Sequence, residues 1–179
     1  GASAMSFEPI VASGPNSALP HARPTTRVLQ NGDVVLIDMG AYVEGYSSDM
    51  TRTLVLGQAT DEVRHVYAAV LLAQKAAIEI AKARMTGTEL DAAARSVLVD
   101  AGYGDQFSHS LGHGVGLRVH EWPRLSQQVE HVLPVGATVT VEPGVYLPGR
   151  FGVRIEDIIV LDETGCDNLT STPKTLLEL

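Results

Sequence analysis

The sequence has a single cysteine, Cys166, in 179 residues, so no intrachain disulfide framework can brace it, and this usage suits a reducing cytoplasm. No catalytic pattern surrounds Cys166, which reads as a structural or incidental thiol. Long apolar runs are missing too. None reaches the length of a membrane span, and the opening residues lack the basic start and apolar stretch of a secretory signal. Basic residues are few and scattered: 13 Lys and Arg against 21 Asp and Glu leave a net charge of -8, which argues against nucleic acid as a partner. What remains is 45% hydrophobic and 19% charged, enough apolar surface for one soluble globular domain with a buried core.

Within that domain one pattern occurs twice. The stretch Val34 to Gly40 is an apolar run closed by Asp38, with Gly32 six residues before the acid and Gly40 two after it. The stretch Val139 to Gly144 repeats the frame around Glu142, with Gly136 and Gly144. A hairpin-like turn leads from each to a second acid, Asp49 and Glu156. The repeat extends upstream: Phe7, then His21 followed by Pro24, is echoed by Phe107, then His120 followed by Pro123. We therefore expect two related β-hairpins about a pseudo-twofold axis.

Residues 6–32 read as a strand over Phe7 to Val11, a loop around Gly14-Pro15-Asn16, and a second loop from His21 to Gly32. A hairpin over 33–56 turns at Glu44-Gly45. Helical periodicity begins at Asp61, with Val63, Val66, Tyr67, Val70, Ala77, Ile78 and Ala81 on one face and Thr60 or Asp61 as cap. A second helix runs from about Glu89 to Asp100, with Thr88 as cap, Asp91 at the capping-box position and Gly102 as stop. Both helices read as scaffold. The tail beyond Asp162 is polar and turn-rich and suggests no function. The second unit is then helix, helix, histidine loop and acid hairpin, while the first holds only the last two. This difference predicts two helices upstream of residue 1 in a longer protein.

Asp38, Glu142 and Glu156 follow apolar residues, so these acids are expected to be buried. Unpaired carboxylates cannot converge in a low-dielectric interior unless cations offset them. Ordinary ion pairs with Arg52 and Arg154 are one answer; two halves of a metal site are the other. Four carboxylates and one imidazole make an oxygen-rich set with room for two divalent ions, which favours manganese, with cobalt or iron as alternatives, over the ligand sets of structural zinc. Such a pair suits hydrolysis of an amide or phosphoester. His113 sits between Gly112 and Gly114, which would let backbone and metal approach closely. The glycines around it do not form a dinucleotide loop, and His120-Glu121 is not part of a zincin helix. His65 and His131 read as solvated.

At these residues the sequence resembles the pita-bread metallopeptidases and, within them, the Xaa-Pro peptidases, which include prolidase and aminopeptidase P. The segments that carry the resemblance are Ile37 to Gly40, Tyr46 to Thr53, Gly112 to Leu117, Val119 to Glu121, Val141 to Gly144 and Arg154 to Asp157. It implies an α+β pita-bread fold, a curved antiparallel sheet covered by helices, here without its first pair of helices. It also implies that residues 6–179 form the catalytic domain, and residues 1–5 read as an added remnant or the native start. Asp38 and Asp49 would ligate one metal and His113 and Glu142 the other, with Asp49 and Glu156 bridging and manganese, cobalt, iron or zinc as the ion. His21, His109 and His120 would line the substrate site, Glu142 would act as general acid and base, Arg124 would receive the substrate's terminal carboxylate, and Arg154 would orient a ligand. The implied substrates are short proline-containing peptides. The implied setting is a cytoplasmic homodimer with a further N-terminal domain, without nucleic acid or membrane as partner. Creatinase-like C–N hydrolysis and a binding module without catalysis are the alternatives, and the complete ligand set counts against both.

Overall fold

The computed structural model, which describes residues 1–179, turns the β-branched runs into strands and the alanine-rich middle into two helices. The strands are β1 (Ala4–Met5), β2 (Ile10–Ser13), β3 (Val34–Met39), β4 (Ala41–Val43), β5 (Tyr46–Ser47) and β6 (Met50–Val55), followed by helices α1 (Asp61–Ile80) and α2 (Gly87–Asp100). Then come β7 (Gly112–Gly114), β8 (Glu121–Leu125), β9 (Thr138–Val141), β10 (Gly144–Leu147), β11 (Phe151–Arg154), β12 (Asp157–Leu161), β13 (Cys166–Asn168) and β14 (Leu177–Glu178). No helix is long and apolar enough to cross a membrane.

The repeated glycine frame corresponds to a repeated topology. One sheet runs β14-β6-β3-β2 and the other β13-β12-β9-β7-β8. Each is centred on an antiparallel pair, β3 with β6 and β9 with β12, flanked by an upstream strand and by a strand from the tail. A hairpin interrupts each pair, β4–β5 in the first half and β10–β11 in the second. The first turns through Glu44 and Gly45, both at positive φ, the conformation that the two-residue hairpin loop demands. The halves meet along β6 and the segment after β11. Thr51 O accepts from Glu156 N, and Thr53 Oγ1 donates to Arg154 O while accepting from Arg154 N.

The helices bury Val66, Val70, Ala73 and Ala77 of α1 and Leu90, Ala94 and Leu98 of α2 against Leu111, Val139, Val141 and Ile159. The site is therefore carried on a core that the second half and both helices share. Thr60 caps α1, as expected, accepting from Val63 N. The cap of α2 differs. Thr86, two residues earlier than expected, accepts from Glu89 N while Glu89 reaches back to Thr86 N. Gly87 permits the earlier start, because a Cβ there would lie 2.2 Å from Arg124 O. Thr88 instead donates to Ser126 O and Val129 O. Asp91, fully buried, takes a bidentate ion pair with Arg95 and accepts from Leu111 N.

One further expectation is corrected. The first strand lies at Ile10–Ser13, not Phe7 to Val11, because pairing with β3 puts Ile10 opposite Asp38 and Ser13 opposite Val35; Gly14–Ala18 then forms a 3-10 turn. The polar tail adds a strand to each sheet: β13 pairs with β12 and β14 with β6, so it touches both halves.

Candidate active site

Each acid sits where a strand leaves its sheet. Asp38 is near the end of β3 and pairs with Thr51; Glu142 follows β9; Asp49 precedes β6; Glu156 precedes β12. Strand alternation then places a hydroxyl two residues from an acid on the same side. Thr51 donates to Glu156 Oε2 at 2.7 Å and accepts from Arg154 Nε at 3.0 Å, and Thr140 donates to Glu142 Oε1 at 3.0 Å.

All ten residues singled out from the sequence line one cavity of about 470 Å³: Asp38, Asp49, His113, Glu142, Glu156, His21, His109, His120, Arg124 and Arg154. Its only apolar lining is Phe7, Ile10, Pro20 and Val119 with the aliphatic parts of its polar residues. His65 and His131 lie outside it and are exposed. Ligand atoms of Asp49, His113 and Glu156 all lie within 4.8 Å of one another. His113 Nε2 lies 3.2 Å from Glu142 Oε1 and 3.7 Å from Asp49 Oδ2. His113 Nδ1 faces Gly114 O at 3.0 Å, and a carbonyl can only accept, so Nδ1 carries a proton and Nε2 faces the acids. The flanking glycines serve the backbone: a Cβ at Gly112 would lie 1.9 Å from Thr140 O, and one at Gly114 2.3 Å from Trp122 O.

The acids do not resolve into ordinary ion pairs. Arg52 pairs with Asp157, outside the cavity, and Arg154 reaches Asp38 Oδ2 at 2.5 Å but none of the other three. Burial pushes the Asp49 carboxyl up to about 8, with the Asp38 and Glu142 charges adding to the effect. Burial also drives Glu156 well above the ordinary carboxylate range, with the charges of Glu142, Asp49 and Asp38 working the same way. Asp38 is raised by burial against the pull of Arg154. At Glu142 burial is outweighed by His113, His109 and Arg154, which hold it below its usual value. His113 is raised: burial opposes its charge, but Glu142 and Asp49 favour it more. Asp38 Oδ1 is buried with no partner at all. Crowded carboxylates, an imidazole nitrogen aimed at them and an orphaned acceptor fit hard divalent cations.

Sequence reading missed a hydrogen-bond chain that runs from His109 through Tyr146 to Arg154. His109 Nδ1 faces Ser110 O at 2.9 Å, so this imidazole keeps its proton there and accepts from Tyr146 at Nε2, 2.8 Å away. Tyr146 in turn accepts from Arg154 Nη1 at 2.9 Å. Burial pushes the Tyr146 phenol up to about 12 and lowers His109, so both stay neutral. Thr51 and Thr140 could have been found from two-residue spacing to Asp49 and Glu142. Tyr146 carries no such local signal.

The sequence matches the profile of metallopeptidase family M24 over residues 1–163. It is 50% identical over 177 residues to the Xaa-Pro dipeptidase of Pyrococcus furiosus, covering 99% of this chain and 51% of that protein. The X-Pro aminopeptidase of Thermotoga maritima superposes with a TM-score of 0.98 at 48% identity, over 100% of this chain and 51% of that one. The Xaa-Pro dipeptidase of Bacillus anthracis superposes with a TM-score of 0.98 at 47% identity, over 100% and 50%. The chain thus spans about half the length of the relatives it matches.

Proposed function

Because this chain belongs to metallopeptidase family M24 and has its pita-bread fold, we propose that it carries the catalytic site of a dinuclear-metal hydrolase that cleaves the peptide bond before proline, acting on Xaa-Pro dipeptides. The observation that carries this reading is the convergence of Asp38, Asp49, Glu142, Glu156 and His113 on one cavity that also holds the unpaired cation Arg124.

Those five residues would hold the ions, with manganese as the first choice and cobalt, iron or zinc as alternatives. Divalent cations bound there supply Lewis acidity toward a carbonyl and lower the pKa of water. Glu142 has the position for proton transfer, its Oε1 steadied by the Thr140 hydroxyl and next to His113. It can take a proton at that carboxylate and deliver it to the departing proline nitrogen. His120, whose ring stands edge-on to that of His113 at 4.3 Å, would contact the scissile region, and His21 the far end of the substrate. Phe7, Ile10 and Val119 offer the apolar surface a pyrrolidine ring needs. Arg124, opposite His113 across the β7–β8 pair, would neutralise the dipeptide's terminal carboxylate. A longer peptide would leave that charge unpaired, which favours prolidase activity over aminopeptidase P activity. The second reading, an Xaa-Pro aminopeptidase, rests on the equal fit to the Thermotoga maritima structure. Residues 6–179 form the catalytic domain in this reading, and the working form is a cytoplasmic homodimer.

Stripping metal with chelator, restoring Mn²⁺ or Co²⁺, and comparing an Xaa-Pro dipeptide with its C-terminal amide and an Xaa-Pro-containing tripeptide tests the metal dependence and the substrate preference. The dipeptide should be cleaved best, and only after metal is restored. Equal rates on all three would favour the aminopeptidase, and no metal-dependent cleavage of any would end the proposal.

A further inference from the structure

On the side of the β6–β12 junction away from the acids lies a second charged cluster that the mechanism does not use. Asp157, with no exposed surface, accepts from Arg52 Nη2 at 2.8 Å on Oδ1, and from Asn168 Nδ2 at 2.7 Å and Lys174 Nζ on Oδ2. Lys174 Nζ also donates to Gln74 Oε1 of α1 at 2.9 Å, and Lys174 O accepts from Tyr67. Arg52 uses its remaining donors on backbone: Nη1 on Thr51 O and on Glu156 O at 2.6 Å, Nη2 on Thr172 O, and Nε on Pro173 O. None of Arg52, Asp157 or Lys174 lines the cavity.

The segment that supplies Asn168, Thr172, Pro173 and Lys174 crosses from one half to the other. Its β13 end is paired with β12, which follows Glu156, and its β14 end with β6, which follows Asp49. Between those ends it closes over Arg52, whose guanidinium holds the carbonyls of Thr51 and Glu156, the two residues whose side chains meet inside the site. Four acids facing one another across this junction repel, and metal coordination tolerates only a few tenths of an ångström in ligand placement. Something must hold the two strands at a fixed separation.

We propose that residues 166–179 form a strap that fixes the spacing of the two half-sites, with Arg52, Asp157 and Lys174 as its positioning residues, and that the strap thereby sets how tightly the site takes up its two divalent cations. The inference rests on the dinuclear reading of the site. Lys174 acts at a distance: it neutralises Asp157, Asp157 aims Arg52, and Arg52 locks the backbone that presents Glu156.

Co²⁺ titration of the metal-free protein, followed by the visible absorption of the bound ion, tests the strap without reference to turnover. Lys174→Met should weaken Co²⁺ uptake by up to roughly 10-fold, the low end of the effect of removing a group that bonds a metal ligand directly, and should change the absorption bands of the loaded protein. Asn168→Ala, which removes one bond to Asp157 from the edge of the cluster, should shift both readouts the same way by less. A lowered melting temperature in Lys174→Met with wild-type Co²⁺ affinity and spectrum would mean that the cluster only stabilises the fold, and the inference fails. If Lys174→Met does not fold, Asn168→Ala decides, and unchanged Co²⁺ affinity there overturns it. Wild-type protein that binds fewer than two Co²⁺ removes the dinuclear premise itself, a result distinct from either.

Discussion

Without metal, the site should make the fold lose stability as pH rises. A carboxyl whose folded pKa lies above its unfolded value holds its proton more tightly when folded. Its contribution is complete below the unfolded pKa and is lost as pH rises through the folded one. For Asp49 those limits are 3.8 and about 8, the rise coming first from burial and then from Asp38 and Glu142. At roughly 1.4 kcal/mol for each pH unit of that gap, ionising Asp49 removes on the order of 6 kcal/mol from the metal-free fold. Asp38, Glu156 and His113 are also raised, so they act in the same direction. His109 and His120 are lowered, chiefly by burial, and contribute stability gained as pH passes their ordinary 6.5, which offsets part of the loss. Glu142 and Asp157 are lowered and matter only below the ordinary carboxylate range. With about 2–4 °C of melting temperature per kcal/mol in a chain of this size, the metal-free protein should melt on the order of 10 °C lower at pH 8 than at pH 5. Calorimetric melting of chelator-treated protein at constant ionic strength measures this. In parallel samples with saturating Mn²⁺ the trend should reverse, because protons then compete with the ion for the same oxygens. A metal-free melting temperature that stays level or rises from pH 5 to pH 8 would refute the account of the acids as buried and crowded.

Four substitutions probe the same construction. Asp49→Asn should abolish metal uptake and hydrolysis while raising the melting temperature of the metal-free protein at pH 8, because a neutral amide replaces a carboxylate whose charge burial opposes; equal destabilisation at pH 5 and pH 8 would contradict it. Gly112→Ala drives a Cβ into Thr140 O and should cost about 3 kcal/mol in urea unfolding, with a loss near zero showing that the β7–β9 approach is looser than described. Asp91→Ala strands the Arg95 charge and Leu111 N beneath α2 and should cost about 3–5 kcal/mol, whereas Thr88→Ala, which keeps the helix cap at Thr86, should cost about 1 kcal/mol.

The repeated acids, their glycine frames and the outer histidines were legible because each is an unusual residue at a fixed spacing from another, and spacing along a strand becomes position on a sheet. The helices were legible from their apolar period, but the start of α2 was misplaced. Two threonines, Thr86 and Thr88, compete for the cap, and the choice depends on Arg124 O resting against Gly87, which is distant in sequence. The same limit explains what was missed in the site. Thr51 and Thr140 follow from strand alternation, yet their partners depend on which strand lies opposite: Thr51 meets Glu156 across 105 residues and Arg154 meets Asp38 across 116. Tyr146 is an ordinary aromatic until the β10–β11 hairpin brings it between Arg154 and His109. Lys174 had still less to mark it, a single lysine in a polar tail, because its meaning lies wholly in the buried Asp157 it reaches. Local sequence thus identifies the groups that converge on the cavity. The groups that hold them in place are common residues defined by long-range register, so in this fold they are read from the junction between the halves.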